Sequence, residues 1–302
     1  MRKEALSTVY ELAKANPKVL FIGSDLSEGT LAMMKEELPK QFLMEGISEQ
    51  HLVGFAAGLA KEGYIPFLNT IANFLTRRAL EQIILDVCLH KLPVKFLASG
   101  GGMVYAPLGP THTAVDDLAH MLAIPDINVY APCDALEMTN ILMAEVSNPY
   151  PAYIRFGKGD EEIVSNKMQD SDDKQFKFFG DQYSDSLIVS TGVCLQPTLE
   201  SLKFIPKNNV PLVVHIAKLN SLSPILIEMF RHKKRVLVVE EHQEQGGLFT
   251  KLLHLFCSYG LDASILRSIS LGFGFIRKYG SQIDHFKDKG ITPENISREL
   301  LK

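Results

Sequence analysis

Gly46-Ile47-Ser48-Glu49-Gln50-His51-Leu52-Val53-Gly54-Phe55-Ala56-Ala57-Gly58-Leu59-Ala60-Lys61 runs from a turn glycine, past a carboxylate, into a segment rich in Ala, Gly and Leu. Residues 52–61 read as a buried helix. Just upstream, residues 19–22 form an apolar run that ends in Gly23-Ser24-Asp25, a strand feeding a turn. Just downstream, residues 65–68 are strand-like. The alternation continues with a helical spacing over 77–90, a strand at 93–98 before Gly100-Gly101-Gly102, a helix over 114–122, a strand at 128–130 and a helix over 135–146. Strands separated by helices in this way predict a parallel sheet covered on both faces.

Residues 166–177 are the most polar stretch of the chain and read as a linker. A second α/β pattern follows. Strands are expected at 186–190, 211–216, 235–239 and 264–269, with helices at 196–204, 223–230 and 248–259. The expected division is one domain over 1–165, a linker over 166–178 and a second domain over 179–302. The chain has 302 residues, 46% hydrophobic and 22% charged, an ordinary globular composition with room for two such domains. A formal net charge of −4 gives no basis for a nucleic-acid or anionic-membrane partner. No run approaches the ~18 apolar residues of a membrane span. The first 20 residues read as an amphipathic helix, not a signal sequence, so a cytoplasmic protein is expected. Cys88, Cys133, Cys194 and Cys257 are scattered, form no CxxC pair and read as buried thiols.

Glu49 stands out because a carboxyl group at the mouth of an apolar helix is partly desolvated. Such a group is suited to sharing a proton with a basic ring nitrogen. An ordinary acidic residue at a helix N-terminus would look the same, and Glu45 is not separated from Glu49 by this argument. Phe74 precedes the helix over 77–90 and could stack on a flat ligand or simply fill the core. Arg77-Arg78 could meet an anion or sit in solvent. His112, in Gly109-Pro110-Thr111-His112, follows a strand and a glycine run, at the sheet edge where α/β proteins bind ligands. His51 and His90 are flanked by helix-core residues. Glu240-Glu241-His242 has the wrong spacing for three metal ligands, because strand neighbours point to opposite faces.

Taken together and in this order, these segments resemble the transketolase family over about residues 15 to 300. The match lies in Gly46-Ile47-Ser48-Glu49-Gln50-His51 with Gly54-Phe55-Ala56-Ala57-Gly58-Leu59-Ala60, in residues 74–82 and in Gly109-Pro110-Thr111-His112. It extends through Tyr130-Ala131-Pro132-Cys133-Asp134, Ala152-Tyr153-Ile154-Arg155, and Glu240-Glu241-His242 with Gly246-Gly247. The resemblance implies a pyrimidine-binding domain followed by a transketolase C-terminal-like domain. It implies thiamine diphosphate as cofactor, with Glu49 bonding N1′ of the aminopyrimidine and so promoting formation of the thiazolium ylid. It also implies Phe74 stacked on that ring, Arg77 beside the cofactor, and His112 and Arg155 on the substrate.

The family's Gly-Asp-Gly motif, with its downstream Asn, is missing; Gly180-Asp181 is followed by Gln182. The resemblance therefore implies that a partner chain carries the diphosphate and its Mg²⁺ or Ca²⁺ ligands, in an α2β2 assembly. The expected reaction is transfer of a two-carbon ketol or related acyl-anion unit between sugar-like substrates. The β subunit of a 2-oxoacid dehydrogenase and a non-catalytic regulatory subunit are the alternatives. Leu108 replaces an Asp of relatives, and Gly100-Gly101-Gly102 lies where they carry His or Arg. Both changes remove charge-assisted hydrogen bonds of roughly 1.5–3 kcal/mol each. An ordinary pentose phosphate is thus disfavoured against an unphosphorylated or nucleotide-bearing sugar or a small ketoacid-derived unit.

Overall fold

The computed structural model describes residues 1–159 and 161–302. After helix α1 (Arg2–Ala15), the first unit runs β1 (Val19–Gly23), α2 (Ala32–Glu37), β2 (Phe42–Met44), α3 (Glu49–Lys61), β3 (Ile65–Ile71) and α4 (Ala72–Arg78). It continues with α5 (Leu80–Gln82), β4 (Lys95–Ser99), α6 (Asp117–Leu122), β5 (Asn128–Tyr130), α7 (Ala135–Glu145) and β6 (Ala152–Phe156). Its six strands lie in the order β2-β1-β3-β4-β6-β5, and every pairing is parallel. β1 and β4 are buried along their whole length, which is why they read as near-continuous apolar runs.

The second unit contains β7 (Gln169–Asp170), β8 (Lys177–Phe179), β9 (Ser186–Ser190), α8 (Leu195–Ser201), β10 (Leu212–His215), α9 (Pro224–Arg231) and β11 (Arg235–Val239). It ends with α10 (Leu248–Ser258), β12 (Leu266–Ile269), α11 (Gln282–Lys289) and α12 (Pro293–Leu301). Its sheet has the order β12-β11-β9-β10-β8-β7. β8 is antiparallel both to β10 and to β7. The expected linker is thus largely a hairpin on the edge of the second sheet. Both residues of β7 are exposed, so its polarity reflects an edge strand and not a tether.

Three other expectations change. The helix over 77–90 is broken: α4 ends at Arg78, and Ile83–Cys88 form a π-helical turn after α5. Burial of Ile83 and Val87 satisfies the apolar spacing in either helix type, so periodicity could not tell them apart. The helix over 114–122 begins only at Asp117. Cys257 is exposed, while Cys88, Cys133 and Cys194 are buried, because α10 turns Leu248, Leu252 and Phe256 to the core.

The two units share one apolar core, in which Leu118 and Met121 of the first join Leu219, Leu248 and Leu252 of the second. Edge strand β5 is covered from the second unit. Leu219 N donates to Val129 O at 2.9 Å, and Ala131 N to Ala217 O at 2.8 Å. A thiol-specific reagent should therefore label one cysteine, Cys257, in the native chain and all four in guanidinium; mass spectrometry of the labelled peptides checks this.

Candidate active site

Because the first sheet is parallel, the C-terminal ends of its strands meet at one edge. The strand order reverses direction between β1 and β3, the usual ligand-binding crevice of such sheets. Glu49 lies in this crevice. It opens α3, is 1% exposed, and receives a 3.4 Å bond from Thr70 Oγ1 at the end of β3. Ser24 Oγ, just beyond β1, donates to Thr70 Oγ1 at 3.0 Å. Below them Asn69 accepts from Ser27 Oγ at 2.9 Å and donates to Leu97 O at 2.7 Å. The crevice floor is therefore a fixed polar network. Glu45 is exposed, so burial separates the two acids that the sequence left equivalent.

Phe74 is half-buried on the first turn of α4. Its ring meets the His112 ring edge-on, with centroids 5.2 Å apart. His112 Nδ1 is 2.9 Å from Thr111 Oγ1, and Asn73 Nδ2 donates to Thr111 O at 2.5 Å, tying this loop to α4. The structure thus brings Glu49, Phe74 and His112 to one neighbourhood through α4. Arg77 is not part of it: its guanidinium is held by Asp116, at 2.9 and 3.0 Å. The basic residue at the crevice is Arg78, whose Nη1 is 2.8 Å from Glu49 Oε2 and whose guanidinium carbon is 4.0 Å from the Phe74 ring centroid. Helical spacing does not choose between the two arginines, since i+3 and i+4 both share a face with Phe74; their contacts with Asp116 and Glu49 do. Thr70 carried no signal in the sequence.

Arg155, at the end of β6, is also engaged within the chain. Its Nε is 3.3 Å from Asp117 Oδ2, and its Nη2 donates to Glu241 O at 2.7 Å and lies 3.8 Å from Glu241 Oε2. Tyr153 OH donates to the same Asp117 oxygen at 2.8 Å. Arg155 is only 6% exposed. This geometry supports a buried interdomain ion pair where the sequence pointed to a substrate ligand. Burial opposes the Arg155 charge, but Asp117 and Glu241 outweigh it and raise its pKa.

The Glu240-Glu241-His242 segment is likewise structural. Glu240 accepts from Leu248 N and Phe249 N at 2.7 and 2.9 Å, capping α10. Burial nevertheless pushes its carboxyl pKa up to about 7. Glu241 accepts from Met103 N at 2.8 Å. His242 Nε2 accepts from Ala119 N at 3.3 Å, and burial lowers the His242 pKa to about 4.

The glycine run closes this joint. A Cβ on Gly101 would stand 2.1 Å from Arg155 Nε, and one on Gly102 2.2 Å from Glu241 Cδ. Gly100 and Gly102 also have φ of +76° and +66°. The missing side chains there are explained by packing, whatever the substrate. Leu108, by contrast, is 53% exposed. Elsewhere, Cys133, Glu137 and His215 bring a thiol, a carboxylate and an imidazole within 4.8 Å. Glu137 Oε2 is already held by Cys133 N and His215 Nε2, each at 2.8 Å.

The family model described as transketolase, pyrimidine binding domain, matches residues 1–161. A Methanocaldococcus jannaschii chain, named as a transketolase C-terminal section, is 30% identical over 100% of this chain and 95% of its own length. The 1-deoxy-D-xylulose-5-phosphate synthase of Dictyoglomus turgidum is 34% identical over 91% of this chain, which spans 45% of that enzyme. Among solved structures, a split-gene transketolase described as an inactive beta4 tetramer superposes with a TM-score of 0.86. It is 28% identical, with 99% of this chain and 96% of that one covered. The transketolase of Campylobacter jejuni shares the fold, with a TM-score of 0.80 at 17% identity over 99% of this chain and 46% of that one.

The interdomain joint has a pH signature. The folded pKa of His242, about 4, lies below its ordinary value of 6.5. As pH falls through that window, the unfolded chain gains a proton before the folded chain does. His242's contribution is therefore full above pH 6.5 and lost toward pH 4. Between pH 7.5 and pH 5 the wild type should lose about 2 kcal/mol more stability than His242→Gln. Urea unfolding at the two pH values checks this.

Proposed function

The chain belongs to the transketolase family, a thiamine-diphosphate-dependent family, and we propose that it is the pyrimidine-binding, C-terminal subunit of a two-chain enzyme of this type. The observation that carries the proposal is the crevice between β1 and β3. A buried carboxylate there faces a half-buried aromatic ring, with a planar cation already seated against both. Those surroundings fit the aminopyrimidine of thiamine diphosphate, which is itself planar and nitrogen-bearing. When bound, the cofactor supplies a thiazolium carbon able to act as a carbanion.

Glu49 holds the ring nitrogen N1′ and takes and returns its proton. Thr70 bonds the other carboxylate oxygen, and burial keeps water from competing for that proton. Phe74 stacks on the ring, and His112, edge-on to Phe74, offers a hydrogen bond to a substrate oxygen. The diphosphate and its Mg²⁺ or Ca²⁺ are assigned to an N-terminal partner chain, because this sequence lacks Gly-Asp-Gly. The name of the M. jannaschii relative itself, a transketolase C-terminal section, supports that division. An α2β2 assembly is supported by the likeness to the split-gene transketolase, which is described as a beta4 tetramer.

The proposed reaction is transfer of a two-carbon ketol unit between sugar-like substrates. Exposed Leu108 disfavours an ordinary pentose phosphate. Identity to 1-deoxy-D-xylulose-5-phosphate synthases makes acyl-anion transfer the second reading.

Alone, the chain should bind thiamine diphosphate with Mg²⁺ weakly, which calorimetry measures; submicromolar affinity would contradict the two-chain proposal. With the partner chain present, Glu49→Gln should lower turnover by about 10² to 10⁴-fold while leaving the fold intact. Exposed Glu45 is the control, and Glu45→Gln should retain activity. Exchange of the cofactor's C2 hydrogen, followed by quenched-flow NMR, reads the step directly. An unchanged rate in Glu49→Gln would remove Glu49 from the mechanism.

A further inference from the structure

Glu49 is a carboxylate with almost no access to water. Unpaired, such a group is costly to bury. Its bond from Thr70 is 3.4 Å, near the limit of a useful hydrogen bond, and compensates little. The remaining partner is Arg78, at 2.8 Å. Arg77, its neighbour, is held by Asp116 and cannot substitute.

The way Arg78 sits is informative. Its guanidinium is planar, with N–H donors in the plane of the group. One edge donates to Glu49, while the group lies over Phe74 at 4.0 Å. An aminopyrimidine, once its ring nitrogen is protonated, would use the same two partners, donating in plane to the carboxylate and stacking on the ring. Arg78 and the pyrimidine thus compete for one slot. The Arg78 side chain is 47% exposed, so its own charge returns readily to solvent, but it leaves only when a ligand takes its place on buried Glu49.

We propose that Arg78 is a built-in competitor of the cofactor's pyrimidine, holding the Glu49–Phe74 slot closed until an aminopyrimidine displaces it, and that the slot accepts planar amidine-type groups as a class. This rests on the pyrimidine-site reading above and extends it to how the site is filled. Arg78 is thereby a residue that tunes affinity. The slot stays charge-balanced when unfilled, and ligand binding must first break the Arg78 contacts. Apparent affinity falls by the fraction of time the slot is open.

The test uses the full chain and two small probes, 4-amino-2-methylpyrimidine and methylguanidinium, titrated by calorimetry and NMR. Arg78→Ala should bind the aminopyrimidine about tenfold more tightly than wild type. Methylguanidinium should bind Arg78→Ala and raise its melting temperature, while leaving wild type unchanged. Adding Glu49→Gln to Arg78→Ala should abolish both effects. If Arg78→Ala fails to fold, Arg78→Lys serves instead. It keeps a positive charge for Glu49 and loses the planar stack, so it should show a smaller gain in aminopyrimidine affinity.

Equal or weaker aminopyrimidine binding in the variant that folds would overturn the proposal, since Arg78 would then be neutral or a helper. Absence of methylguanidinium rescue in Arg78→Ala would do the same. These readouts need neither partner chain nor turnover. A failed competition test with Glu49→Gln inactive would leave the cofactor reading standing. A successful one with Glu49→Gln fully active would keep the slot and remove its catalytic role.

Discussion

A guanidinium buried between two carboxylates holds this molecule in shape. Arg155 comes from the first sheet, Asp117 from the helix that packs on it, and Glu241 from the second unit. None of the three has appreciable contact with water. A charge in that setting is tolerated only with its partners in place, and removal of one partner of such a pair typically destabilises by about 3–5 kcal/mol. The joint therefore fixes more than its own residues. Glu241 also accepts from Met103 N and Gln282, and Asp117 also accepts from Tyr153. The loop after β4 and the start of α6 are thus held against the second unit, and α6 follows directly from the loop that carries His112.

Two kinds of buried acid meet at this sheet edge, and their partners differ in kind. Glu241 is balanced by a cation as inaccessible as itself, a permanent arrangement. Glu49 is balanced by Arg78, which reaches in from the surface. The contrast matches the division between scaffold and site. Of the polar floor of Ser24, Ser27, Asn69 and Thr70, only Thr70 reaches Glu49, and in the proposal above its outer partner is replaceable.

Much of this was legible in the sequence. The strand–helix alternation of the first unit, and a carboxylate at the head of an apolar helix, come from hydrophobic patterning, which depends on local spacing alone. What was not legible depends on contacts between distant segments. Arg77 and Arg78 are adjacent in sequence, yet on α4 one faces Asp116 and the other Glu49. The family resemblance gave Arg155 to the substrate, and only the arrival of Glu241 from the second unit shows that it is engaged within the chain. The β7–β8 hairpin is short, polar and at an edge, so it lacks the apolar alternation by which strands are recognised. Glu45 and Glu49 share their local sequence, and only burial tells them apart.

The glycine run at 100–102 carries an evolutionary corollary. A descendant lineage that placed a recognition side chain at 101 or 102 would drive it into Arg155 or Glu241. The intermediate sequence, with one half of such a double change, would lose the joint before gaining any new contact. These positions are therefore locked by epistasis. Divergence in substrate preference would have to accumulate at sites free of the joint, such as the solvent-facing position 108.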